Sequence, residues 1–182
     1  MCKADALMEE FGSAAAVLGS AGGLRLRRCV GDPGLAEMLT LVADFLRCVL
    51  GGRVRGLCVL SGRDAVFDYL RAEMAFCRRE TLRVLYLDAA HRLLADEVAA
   101  HGTVDSVSFY AREIVVRALE LGAVGLVLAH NHPSGSPVAT PADVTATDAL
   151  IRACTPLGIV VLDHLVVAEH GTRSLRETGW RS

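Results

Sequence analysis

Between Val124 and Ala129 the chain reads "VGLVLA", six residues without a polar side chain, before it reaches His130. An apolar run of this length marks a strand buried in a sheet interior, and such a strand needs cover on both faces. The flanking segments alternate in type. "AREIVVRALELG" (111–122) has helical spacing with Ile114, Val115, Ala118 and Leu119 together, and Gly122 stands where a C′ glycine belongs. "GRDAVFDYLRAEM" (62–74) is a second helix, with Val66, Tyr69 and Leu70 on a common side. "TLRVLYLD" (81–88) alternates Leu82, Val84 and Tyr86 against Arg83, Leu85 and Leu87, as a strand with little exposure does. Residues 140–158 open a helix and 159–169 form a final strand. Residues 92–109 form one or two strands with Gly102 at a bend or bulge, and 54–60 is a further strand. Helices interleaved with the strands of one moderate sheet make an α/β (α+β) sandwich.

Residues 1–52 differ in texture and read as short helices. "ADALMEEFGSAAAVLGSAGG" breaks at Gly12, after which Ser13 caps a second helix. "DPGLAEMLTLVADFLRCVL" begins at Asp32 or Gly31 and aligns Leu35, Leu39, Val42, Leu46 and Val49 on one face. "GGRVRG" at 51–56 punctuates the boundary, which gives a helical region over 1–52 and a second domain over 54–182.

Hydrophobic content of 52% against 22% charged residues predicts a packed core, and a net charge of −2 gives no global pull toward nucleic acid. No apolar run approaches the roughly 20 residues of a membrane span. "MCKADALMEEF" lacks the basic region and long apolar core of a secretory signal, so a cytoplasmic location is expected. The six cysteines contain no C-x-x-C pair and are expected to be reduced, mostly buried thiols.

The chemistry lies where the buried strand ends. His130 and His132 are two residues apart, which on an extended strand points both rings to one face and Asn131 to the other. Pro133, Ser134 and Gly135 turn the chain, and Asp143 sits in the first turn of the returning helix. Two imidazoles and a carboxylate with a fourth position open are the ligands of a catalytic zinc site. A second reading uses the same residues. Thr140 as N-cap, Pro141 at N1 and Asp143 at N3 make a good helix start, and two nearby histidines hydrogen-bond in a loop. Spacing leaves both readings open. Ser134 either orients a ligand imidazole or caps the loop. His164 is either a partner of a ligand histidine or a satisfied core histidine. His91, His101 and His170 read as surface residues.

"HNHPSG", followed by a hydroxyl residue and Asp143, resembles the JAMM (MPN+ or JAB) metalloprotease motif: H-x-H, seven residues, Ser, two residues, Asp. Here residues 133–139 form the spacer and Thr140 takes the serine position. With "EVAAHGTVDSVSFYAREIVVRAL" (97–119), "LVLAHNHPSG" (126–135), the Asp143/Thr147 pair and "GIVVLDHLVV" (158–167), the stretch from Val54 to Trp180 resembles the RadC family of bacteria. The resemblance implies a cytidine-deaminase-like mixed sheet sandwiched by helices, the MPN domain, after a small helical segment. It also implies one zinc per chain on His130, His132 and Asp143, and Glu97, neighbour of Asp96, as general base. The Thr140 hydroxyl would stabilise the oxyanion, and the reaction would be hydrolysis of an amide or isopeptide bond in a protein or peptide. The family usually has Pro-Ser where this chain has Thr140-Pro141.

The region around "LMEEFGSAAAVL" is similar to part of the helix-hairpin-helix segment that precedes this domain in RadC proteins, but "VGDPG" (30–34) replaces the usual Gly-hydrophobic-Gly hairpin. Arg25, Arg27 and Arg28 form a small basic cluster. A DNA repair or recombination accessory protein without hydrolytic activity is therefore the alternative expectation. An HNH nuclease is excluded, because that architecture spreads its three residues over a ββα unit and here they are contiguous.

Overall fold

The computed structural model describes residues 2–55, 58–59, 61–102 and 110–178. Four helices come first: α1 (Lys3–Phe11), α2 (Ala14–Gly19), α3 (Leu24–Val30) and α4 (Pro33–Val54). Their boundaries follow local chemistry. Gly12 takes a left-handed conformation that stops α1, and the Ser13 hydroxyl accepts the Ala16 N–H to start α2. Asp32 caps α4 through the N–H groups of Gly34 and Leu35. Leu7, Phe11, Val17, Leu26, Val30 and Ala36 close a small core of their own, against which Phe76 packs from further along the chain. Gly19 permits that approach, since a Cβ there would lie 2.1 Å from the Phe76 ring.

The second region holds α5 (Arg63–Met74), β1 (Thr81–Leu87), β2 (Leu93–His101), α6 (Ala111–Leu121), β3 (Gly125–Asn131), α7 (Pro141–Cys154), β4 (Val160–Ala168) and β5 (Gly171–Ser174). The sheet order is β2-β1-β3-β4-β5, and β3 and β4 are its parallel pair, joined through α7. The alternation in β1 sorts its side chains between two layers. Leu85 and Leu87 pack with Val127, Ala129 and Leu165 under α5 and the end of α4. Leu82, Val84 and Tyr86 pack with Leu126, Leu128 and Val161 under α6 and α7. This mixed sheet between helical layers is the expected α/β sandwich.

Four expectations change. No strand forms among the described residues of 54–60: α4 continues through Gly51 and Gly52 to Val54, Arg55 caps it, and Cys58 forms an isolated bridge with Arg92. Residues 56, 57 and 60 lie outside the described set. Gly51 acts as a contact point instead of a boundary, since a Cβ there would sit 3.3 Å from the Tyr69 ring. The described part of 92–109 is the single strand β2, with extra residues at Leu94 and Ala99 where the register with β1 shifts. Gly102 follows β2 and donates its N–H to the Glu80 carbonyl at 2.8 Å, while residues 103–109 lie outside the described set.

The third change concerns α4. Its buried side is Ala36, Ala43 and Val54, whereas Val42, Leu46 and Val49 of the expected stripe are 42%, 41% and 46% exposed. Alanines let the helix approach closely, and that contact wins over the bulkier stripe. The cysteines also depart from expectation: none forms a disulfide, but only Cys154 is fully buried, and Cys2 and Cys48 are exposed. No described helix is long and apolar enough to cross a membrane.

Candidate metal centre

β3 delivers His130 to the carboxyl end of the parallel pair, the edge at which open α/β sheets hold their ligands. Thr140 and Asp143 open α7 with a reciprocal capping box. The Asp143 N–H donates to Thr140 Oγ1 at 3.2 Å, and Asp143 Oδ2 accepts the Thr140 N–H at 2.6 Å. The Thr140 hydroxyl also donates to Asp143 Oδ2, at 2.8 Å. Capping thus fixes the carboxylate at the helix N-terminus and aims it at the histidines. His130 Nε2 lies 3.3 Å from Asp143 Oδ1, His132 Nε2 lies 3.5 Å from Asp143 Oδ2, and the two Nε2 atoms are 2.8 Å apart. The capping reading is realised, and the same residues bring the three candidate metal ligands together.

Hydrogen bonds fix the tautomers. The Thr147 hydroxyl has one proton and donates it to the Asp143 carbonyl at 2.5 Å, so toward His164 Nδ1, 2.6 Å away, it accepts. His164 therefore carries its proton on Nδ1 and presents a bare Nε2 to His130 Nδ1 at 2.7 Å. His130 donates there and keeps a lone pair on Nε2. His132 Nδ1 faces the Ser136 carbonyl at 3.1 Å, which only accepts, so His132 also keeps a lone pair on Nε2. The Ser136 carbonyl thereby takes the orienting role considered for Ser134, and His164 is the partner of His130. Burial depresses the His164 pKa well below that of a free imidazole, which keeps the ring neutral for this task.

Two imidazole lone pairs and a carboxylate facing one another repel unless a positive charge sits among them. The titration directions express that demand. Asp143, through its hydrogen bond, raises the His132 pKa against the effect of burial. Burial would raise the Asp143 carboxyl, but the two imidazoles outweigh it and hold the pKa far below the usual carboxylate range. The three donor atoms lie within 4.8 Å of one another. Tetrahedral zinc with ligand bonds near 2.0–2.1 Å requires donors about 3.3 Å apart. The donor set and its spacing fit a metal ion.

Glu97 lies elsewhere. It pairs with Val84 in β2, two strands from β3, so its Cα is about 12 Å from that of His130 by strand spacing. Its carboxylate is held by Arg117 of α6 at 2.6 Å, and that contact lowers its pKa. Asp96 points to the opposite face, where it accepts from Arg83 and the Tyr69 hydroxyl.

Another carboxylate stands nearer. β1 and β3 pair antiparallel with Leu82 opposite His130, and the same register carried two residues further sets Glu80 opposite His132. The Thr81 N–H donates to the Asn131 side-chain Oδ1 at 2.9 Å, which keeps the two chains side by side just past the ladder. Glu80 is 7% exposed, and its charge contributes to raising the His132 pKa. Asn131, on the other face, ties down the segment that carries Glu80 by donating to the Cys77 and Arg79 carbonyls, each at 3.1 Å. No local pattern marks Glu80 in the sequence; only the pairing of β1 with β3 brings it to the histidines.

The basic cluster of the helical region is partly spent on its own fold. Arg25 binds Glu10 at 2.6 Å and lies over the Phe11 ring. The family model of the RadC-like JAB domain matches residues 60–180, the span that builds the sheet and presents His130, His132 and Asp143, and the chain belongs to that family.

Proposed function

We propose that the chain is a zinc-dependent metallohydrolase that cleaves an amide or isopeptide bond of a protein or peptide, with one zinc per chain on His130, His132 and Asp143. The observation that carries this reading is the convergence of two Nε2 lone pairs and a carboxylate, with each imidazole locked from behind. Zinc bound there supplies a Lewis acid and lowers the pKa of its water toward about 7. Glu80, on the face of His132, is the better-placed general base: it takes the proton of the attacking water and hands it to the leaving amine. Glu97, the residue implied by family resemblance, would first have to release Arg117. The Thr140 hydroxyl proton is engaged by Asp143, which favours a role in positioning that ligand over stabilising the oxyanion. Six cysteines outside any disulfide suit a reducing, cytoplasmic setting.

Elemental analysis of the purified protein should find about one zinc per chain, and His132→Ala should lose it; zinc retained by that variant would end this assignment. Glu80→Gln should keep zinc and abolish cleavage of an isopeptide-containing peptide library, while Glu97→Gln should retain both. The reverse pattern would return the base to Glu97. DNA affinity across a salt series tests the repair alternative, since phosphate contacts impose a steep salt slope.

A further inference from the structure

Six large apolar side chains of α4 stand open to solvent: Met38, Leu41, Val42, Phe45, Leu46 and Val49, each at least 41% exposed and Phe45 68%. Single exposed apolar residues are ordinary, but a contiguous patch marks a contact surface. The spacing specifies the kind of contact. Met38, Leu41, Phe45, Cys48 and Gly52 recur at intervals of three and four, the seam of a helix that packs on another helix, with Val42 and Val49 beside it. The other side of α4, through Ala36, Ala43 and Val54, already packs on this chain's own cores. The outward stripe is therefore a second packing face. It runs into a shallow apolar groove of about 360 Å3 lined by Leu18, Leu46, Val49, Leu50 and Phe76.

We infer that this face is the interface of a twofold dimer, in which α4 packs antiparallel against α4 of a second copy. Charge decides the occupant and the direction. Asp44 and Arg47 neutralise each other within the helix at 2.8 Å, which leaves Glu37 in its first half and Arg53 in its second, with Arg55 just beyond. Antiparallel pairing sets Glu37 beside the partner's arginines and opposes the helix dipoles, whereas parallel pairing sets like against like. A helix that lies on a membrane carries Lys and Arg along its polar flanks, and this one mixes both signs. The seam itself holds no charged residue. A twofold axis near Phe45 brings Met38 of one copy level with Gly52 of the other, as each lies seven residues from the centre, so a long side chain meets a position with none.

Sedimentation equilibrium of the full chain in the micromolar range tests the inference. The expected mass is twice that of the 19.4 kDa chain. Phe45→Glu should keep the far-UV circular dichroism and weaken association at least about 30-fold, the size of a central contact worth about 2 kcal/mol. Leu119→Glu, on the exposed side of α6, should leave the dimer intact. Glu37→Arg should weaken association several-fold at low salt, because it faces the partner's arginines only in the antiparallel arrangement; no change would overturn that arrangement. A monomer at every concentration, including one that binds anionic vesicles instead, would overturn the dimer, as would a dimer indifferent to Phe45→Glu.

Discussion

β3 and α4 are both rich in apolar side chains, and they meet opposite fates. All seven residues of β3 are buried, whereas three of the 22 in α4 are. The strand has a neighbour on each edge and a helical layer on each face, so every direction is covered. The helix touches its own chain along Ala36, Ala43 and Val54, with Leu35, Leu39 and Leu50 partly covered beside them, and turns six large apolar side chains outward. Apolar composition tells that a side chain gains by leaving water; the topology decides whether this chain supplies the cover. The same contrast governs the candidate metal centre. Its histidines sit at the end of the best-covered strand, where packing and hydrogen bonds hold three imidazoles in fixed orientation.

The contrast can be broken most forcefully at β3. Leu128→Ala should cost roughly 2–5 kcal/mol of unfolding free energy, read from the shift of a urea transition, because both layers are too well braced to collapse into the space. A cost below about 1 kcal/mol would mean that the strand is less tightly enclosed than its burial implies.

At the strand's end, His164→Phe keeps a ring of similar size but removes the acceptor that sets His130. Metal affinity measured by chelator competition should fall about 10–100-fold, with little change in secondary structure. An unchanged affinity would mean that His130 is oriented without His164.

The smallest effect belongs to the outward face of α4. Phe45→Ala, measured at concentrations low enough to keep the chain monomeric, should shift unfolding free energy by no more than about 0.5 kcal/mol. A loss several times larger would show that the ring packs within its own chain, and the comparison between strand and helix would lose its second half.

The elements that could be read in advance are those whose cause is local. α5, α6, α7, β1 and β3 follow from periodicity, and their ends from Gly122, Thr140 and Asp143. Asp143 was legible as a capping residue, and the same N-terminal geometry turns it toward the histidines. The strand at 54–60 failed because glycines that usually interrupt a helix were read without Tyr69, the ring that makes Gly51 useful inside one. The expected stripe of α4 held at Leu35 and Leu39, which pack on the first core, and failed at Val42, Leu46 and Val49, because large apolar residues outweigh alanines in any count of hydrophobicity while close packing prefers the alanines.

What the sequence determined by itself was the helices and strands that build the centre of the sheet and its cover, the cover that β3 would require, and the H-x-H and Thr-Asp pairs on either side of one turn. Their chemistry is set by neighbours in the chain, and short-range geometry suffices to express it. What only the tertiary structure decided was the antiparallel register that brings Glu80 beside His132, the reach of His164 to the back of His130, and the diversion of Glu97 to Arg117. Those contacts join residues 34 positions apart or brought together across strands. Charge, burial and hydrogen bonding act through distance in space, which a linear order does not contain until the sheet has formed.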